Sequence, residues 1–156
     1  MFRPMRRFKQ QLTKEECEAI LTAQPRGVLS LSGDGGYPYG VPMNFVLCGD
    51  AIYFHTALSG HKLDSVRRCD KASFCVLDQG EKPADDWAYY FNSVILFGRI
   101  VIVEDEKEKL AALRKLGLKY FPTAGEVEAD IKKNADRCHV LRLTVEHMTG
   151  KHVHER

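Results

Sequence analysis

Ser59-Gly60-His61-Lys62 places a histidine and a lysine directly behind a glycine, at the point where a strand-like run gives way to a helix-like one. Backbone N–H groups at a helix start have no intrahelical acceptor, and the helix dipole adds partial positive charge there, so such a turn can hold a phosphate. Lys62 adds a full charge. The plainer alternative is that Ser59 caps the helix while His61 and Lys62 are simply solvated. Other reactive residue types are present without a telling pattern. Six histidines include His139, His152 and His154 near Cys138, but no spacing among them is that of a metal site, and none is expected. Five cysteines, Cys17, Cys48, Cys69, Cys75 and Cys138, contain no CxxC pair and are odd in number, so neither a disulfide framework nor zinc is expected. Cys48 and Cys75 lie in apolar strand contexts, where a thiol behaves as a small hydrophobe and not as a nucleophile. Trp87, Tyr89, Tyr90 and Phe91 could wall a planar ligand, although filling a core or an interface is the usual role of such residues.

The elements that must position these residues can be read from the chain. Thr13-Lys14-Glu15-Glu16 has the form of a capping box, which predicts a helix over about 13–23 that Pro25 ends. Residues 27–32 read as a strand running into Gly33-Asp34-Gly35-Gly36, a turn whose glycines can take positive φ. The segment 37–48 carries Pro38 and Pro42, and since proline cannot donate to a ladder, these should sit at a strand edge. Gly49-Asp50 is a second hairpin signal before a strand at 51–57. Leu63 and Val66 keep helical spacing over 61–68, with Arg67 and Arg68 suited to the negative end of the dipole. A strand at 72–77 and a polar loop at 79–86 follow. The apolar stretch 87–103 reads as one long strand with a bulge or bend at Gly98. Leu110, Leu113 and Leu116 mark a helix from about Asp105, behind a solvated acidic start, and a further helix spans about 126–135. Leu141, Leu143 and Val145 alternate with Arg142 and Thr144 in a closing strand. Hairpin-length turns between most strands imply an antiparallel sheet or small barrel with added helices, not a parallel α/β sheet.

A chain of 156 residues has the length of one domain, 1–156, and is large enough to fold without disulfides or metal. With 44% apolar and 28% charged residues its composition is that of a globular protein. The net charge of only +2 gives no general reason to bind nucleic acid. The basic start, Met1 to Lys9, is followed by polar Gln10-Gln11 and not by an apolar core, so no secretory signal is expected. No apolar run approaches the roughly 18 residues of a membrane helix. A cytoplasmic protein with reduced thiols is the expectation.

Taken together, four ordered segments resemble the nitroimidazole-resistance (Nim) proteins, within the pyridoxamine-phosphate-oxidase-like, flavin-binding split barrels. They are Tyr37-Pro38-Tyr39-Gly40-Val41-Pro42, Ile52 through Lys62, Ser73-Phe74-Cys75-Val76, and Ser93-Val94-Ile95-Leu96-Phe97-Gly98-Arg99. The likeness runs in order from Met1 to Lys151 and moves the phosphate reading of Ser59 to Lys62 ahead of the plain cap.

The resemblance implies a mainly β, six-stranded antiparallel split barrel that forms a homodimer, with one FMN at each of two sites between subunits. It implies that Val41, Pro42, Met43, Asn44 and Phe45 run along the flavin ring and supply backbone hydrogen bonds. His55, Thr56 and Ala57, with His61 and Lys62 in the following turn, would hold the phosphate and ribityl chain, and Ser93 would reach the cofactor of the other subunit. The arginine-rich substrate-phosphate site of the vitamin B6 oxidases is absent, so that activity is not expected. The implied activity is two-electron reduction of a small nitroaromatic compound such as a 5-nitroimidazole, with a histidine beside the flavin: His61 first, His55 second. Reduced FMN can deliver hydride while a histidine supplies a proton. No GxGxxG fingerprint is present, so the reductant would be a visiting nicotinamide nucleotide or another electron carrier. A flavin-binding module without turnover, serving as store or sensor, is the alternative, and a structural dimer with an empty pocket is a third.

Overall fold

The structure, a computed structural model, describes residues 1–154. Eight strands and four helices alternate along the chain: β1 (Gln11–Leu12), α1 (Lys14–Ala23), β2 (Arg26–Ser32), β3 (Pro38–Asn44), β4 (Val46–Cys48), β5 (Ala51–Thr56), α2 (His61–Arg68), β6 (Lys71–Leu77), β7 (Phe91–Ile102), α3 (Glu106–Tyr120), α4 (Ala124–Asn134) and β8 (His139–Val153). Every strand pairing is antiparallel. The strand order is β3-β2-β6-β7-β8-β5-β4, with the short β1 on β8. The two ends of this curled sheet are consecutive in sequence. β3 and β4 form one strand bent at Phe45, so the sheet returns toward itself and leaves a split where β3 faces β5. Counted that way, and setting β1 aside, the barrel has the six strands expected.

Local chemistry explains most boundaries. Thr13 Oγ1 accepts from Glu16 N at 3.2 Å while Glu16 Oε2 accepts from Thr13 N at 2.7 Å, so both halves of the capping box of α1 are made. Gly35 and Gly36 take φ of 63° and 80° between β2 and β3, and Gly49 takes 61° between β4 and β5, conformations that disfavour a Cβ. Asp105 and Thr123 cap α3 and α4 by accepting from Glu108 N and Glu126 N. Pro38 and Pro42 stand on an edge, since β3 pairs only with β2. On β2 the inward Leu29 and Leu31 are buried and Val28 faces out. Inside, Phe74 meets Phe45 and Phe54 edge-on, with centroids 4.8 and 5.0 Å apart, at the centre of the buried cluster.

The long strand differs from expectation at its start. Residues 87–90 lie outside β7, and Trp87 and Tyr89 are exposed and fill no core. Asp78 holds that loop instead, accepting from Gly80 N and Asn92 N at 3.1 and 2.8 Å. The expected irregularity at Gly98 is present as a register shift between Phe97 and Gly98, and a Cβ on Gly98 would run into the carbonyl oxygen of Thr144. β8 is much longer than its clean alternation suggested. Its polar second half, Glu146 to Val153, becomes strand because β7 pairs along nearly its whole length and β1 pairs on the other side. Among the described residues no helix is long and apolar enough to cross a membrane.

Candidate functional site

The start of α2 is uncapped. Gly60 occupies the N-cap position with φ 125° and ψ 171°, and no side chain accepts from the first turn, so Ser59 does not play the capping role considered for it. Only glycine adopts that backbone without strain, and the space where a Cβ would stand is open. Donors at the helix start are therefore available to an anion.

Lys62, in the first turn, leans inward. Its Nζ stands 3.1 Å from the thioether sulfur of Met43, and it forms no ion pair with any described carboxylate. Partial burial pushes its pKa below the usual lysine value. A half-buried ammonium beside a weak sulfur acceptor is a cation short of an anion. Met43 belongs to β3, so this contact ties the turn to the open edge of that strand. Next to it, His61 stacks on Tyr39 with ring centroids 4.1 Å apart, and its Nε2 is 3.5 Å from Asp34 Oδ2. Asp34 also accepts from Arg68 at 2.9 Å, so the β2–β3 turn is docked on α2 at both of the helix's ends.

Across the split, β5 ends in His55 and Thr56. Thr56 is buried, whereas the imidazole of His55 is exposed and bonds to no described residue. His55 shares a cleft with Asn44, whose Oδ1 accepts from Arg26 Nε at 3.1 Å. The structure thus brings Val41 to Phe45, His55 to Ala57, and His61 with Lys62 to the two sides of one split. Ser93 is not among them. It lies on β7, three strands from β3, paired with Leu77 and Lys151.

Two residues absent from the sequence expectations fix the bend at Phe45. Tyr120 Oη accepts from Phe45 N at 2.9 Å and lies within hydrogen-bonding reach of the carbonyls of Pro25 and Phe45, at 2.6 and 2.9 Å. Lys119 Nζ donates to the carbonyls of Leu21 and Gln24 at 3.1 and 2.8 Å and sits 3.9 Å from the Phe45 ring centroid. Burial pushes Lys119 down to about 8. Their roles span most of the chain and leave no local sequence signal.

The remaining candidates separate from this site. Burial pushes the thiols of Cys17, Cys48, Cys75 and Cys138 up, away from the thiolate a nucleophile needs. Among the described residues no group of three His, Cys, Asp or Glu side chains could hold a metal ion. His152 pairs with Asn92 at 2.8 Å and His154 with Gln10 at 3.1 Å, on the far end of β8.

The outer face of the sheet completes the geometry. One row across four strands reads Val28, Cys75, Ile95 and Thr149, and the next reads Ser30, Ser73, Phe97 and His147. Val28, Ile95, Phe97 and the neighbouring Leu77 are exposed apolar side chains, and Phe2 stacks on His147 with centroids 4.6 Å apart. This stripe is continuous with β2 and so with the edge that carries β3.

Comparison with known proteins agrees with this architecture. The family model described as pyridoxamine 5'-phosphate oxidase matches residues 13–152. Among solved structures, a candidate 5-nitroimidazole antibiotic resistance protein from Bacteroides thetaiotaomicron is 22% identical with a TM-score of 0.77, over 92% of this chain and 87% of that one. The flavocytochrome Anf3 of Azotobacter vinelandii is 23% identical with a TM-score of 0.79, over 96% of this chain and 72% of the other. An FAD-binding protein from Mycobacterium smegmatis is 22% identical with a TM-score of 0.67, over 91% and 96%. At these identities the likeness shows the fold, an antiparallel split barrel with flanking helices. No curated protein matches the chain.

Proposed function

Because this chain belongs to the pyridoxamine 5'-phosphate oxidase family, we propose that it is an FMN-dependent oxidoreductase that reduces a small nitroaromatic compound, such as a 5-nitroimidazole. The observation that carries this reading is the half-buried Lys62 ammonium, beside an uncapped helix start and the unpaired edge of β3. Those three features fit a flavin mononucleotide: a dianionic phosphate for the charge, and a ring whose polar edge matches free backbone donors and acceptors.

In this reading Lys62 and the α2 N-terminus hold the phosphate, and Thr56 and Ala57 flank the ribityl chain. Val41, Pro42, Met43, Asn44 and Phe45 line the ring. Ser93 serves the site of a second copy, which the exposed stripe of Val28, Ile95 and Phe97 would bury, making the whole chain one flavin-binding unit of a cytoplasmic homodimer. Reduced flavin, when bound, supplies a hydride, and a nicotinamide nucleotide is the class of donor that would restore it. A nitro group that takes up a hydride and one proton leaves as the nitroso compound and water. His61 is assigned that proton, with Asp34 and Tyr39 orienting its ring. A specific observation also favours His55, whose imidazole has no described partner and lines a cleft.

The test is spectroscopic. Purified protein should be yellow with FMN, bleach under an anaerobic reductant, and regain colour when a nitroimidazole is added. Bound flavin that no acceptor reoxidises would leave a flavin-binding module without turnover. A colourless protein that leaves the fluorescence of added FMN unchanged would remove the flavin itself from the account.

A further inference from the structure

Between the α3–α4 hairpin and the end of β5 lies a cleft of about 530 Å³ whose lining includes Asn44 and His55. It shares those two residues with the split assigned above to the flavin, yet its other walls come from a different part of the chain. Leu113 and Leu116 of α3 and Ile131 of α4 give it an apolar lining. Its volume falls in the range of small-molecule sites, roughly 300 to 1,000 Å³.

The walls are preformed. Gly117 lets α3 approach α4 so closely that a Cβ there would press on Val127. Arg114 donates to both carboxylate oxygens of Glu128 at 2.6 and 3.2 Å, and Tyr120 anchors the end of α3 on the bend at Phe45. A rigid apolar slot loses little freedom when a flat ring enters it.

Asp130, Arg137 and His55 are among the polar residues of the lining. Asp130 is held by Asn134, which donates at 2.7 Å. Arg137, just beyond α4, lines the cleft and finds no acceptor among the described residues, and the His55 imidazole in the same lining finds no partner among them either. A guanidinium presents parallel donors matched to two coplanar oxygens on one atom.

We propose that this cleft binds the electron-accepting substrate, a flat one- or two-ring aromatic whose nitro or carboxylate group meets Arg137 while the ring lies between the α3–α4 hairpin and the end of β5, against His55. The inference rests on the flavin reading for the role of the ligand, not for its place. Both substituents offer the same oxygen pair, and Asp130 in the same lining makes the nitro compound, which carries no net charge, the easier guest.

The experiment uses the full chain and two probes, a 5-nitroimidazole and the matching imidazole carboxylate, each titrated by calorimetry and followed by anaerobic reoxidation kinetics. Arg137→Ala should weaken binding of both probes by roughly ten- to a hundredfold, with Arg137→Lys partly restoring it, while the affinity for FMN stays that of the wild type. Ile131→Trp should fill the slot and abolish probe binding, with an unchanged circular dichroism spectrum showing that the hairpin is intact. Tight carboxylate binding with slow nitro reoxidation would mark a carboxylate ligand in the same cleft. Unaltered probe affinity in both Arg137→Ala and Ile131→Trp would overturn the assignment. If the probes bind and Ile131→Trp blocks them in protein that takes up no flavin, the cleft stands and the oxidoreductase reading falls.

Discussion

Lys62 is a cation drawn part-way into the protein with a thioether as its nearest polar neighbour, an arrangement that burial alone makes unfavourable. A phosphate would relieve it. Lys62→Ala should therefore weaken FMN binding by roughly ten- to a hundredfold, the equivalent of about 1.5 to 3 kcal/mol for a charge-assisted contact, as read by fluorescence titration. The same variant should be no less stable than wild type without flavin, and a marked loss of stability would show the lysine to be structural. His61→Ala separates binding from chemistry. If His61 donates the proton, turnover falls more than flavin retention, whereas equal losses make it a ligand of the cofactor only. Lys119 gives a pH-dependent signature. Its pKa, about 8 when folded, lies below the usual 10.5, so in acid both states carry the proton and the folded state bears the full penalty of burying it. Between about pH 8 and 10.5 the folded chain releases from Lys119 a proton that the unfolded chain keeps, so the contribution of Lys119 to stability should rise with pH across that window, against the opposite trend of the buried thiols. The neutral amine still has two N–H groups for the carbonyls of Leu21 and Gln24. Urea denaturation of wild type and Lys119→Met at several pH values should show this rise as the difference in stability between the two, and a difference that stays constant with pH would exclude it.

At the scale of elements, β7 depends on one glycine. Gly98 sits where the pairing with β8 slips by a residue, and a side chain there would collide with the Thr144 carbonyl. Gly98→Val should destabilise the protein by about 1 to 3 kcal/mol in urea denaturation through overpacking. A neutral result would mean that the bulge can relax. This bulge was legible in the sequence, as was α2, because glycine in an apolar run and a basic turn after a strand are local signals. The capping box of α1 and the glycine turns were legible for the same reason. The second half of β8 was not, since Glu146-His147-Met148-Thr149 has no alternation, and only its neighbours β1 and β7 make it a strand. The aromatic run at 87–90 misled in the opposite sense, as strand-forming residues in a loop held by Asp78. Within the site, Lys62, Thr56 and Asn44 could be named from motif positions. Tyr120 could not, because its partner Phe45 is 75 residues away and nothing near either residue announces the contact.

On the whole-molecule scale, the exposed stripe of Val28, Ile95 and Phe97 joins the question of assembly to that of flavin binding. Ser93 is on the same strand as Ile95 and Phe97, three strands from β3 in the sheet of its own protomer. If the stripe is the seam of the proposed dimer, Phe97→Asp should give a monomer in light scattering and, in the same step, weaken FMN binding. A monomeric variant that retained flavin at wild-type affinity would show that the site is complete within one chain. β8 has a consequence of another kind. In the ladder it bridges β7 to β5, and so the β3-β2-β6-β7 half of the sheet to the β5-β4 half, although it comes last in sequence among the described strands. During translation the two halves therefore wait, each with an open side, until residues 139–153 clear the ribosome. Closure of the barrel accordingly waits on this fifteen-residue strand, and until it pairs with both β7 and β5 each of those strands keeps an open edge at which aggregation competes with folding.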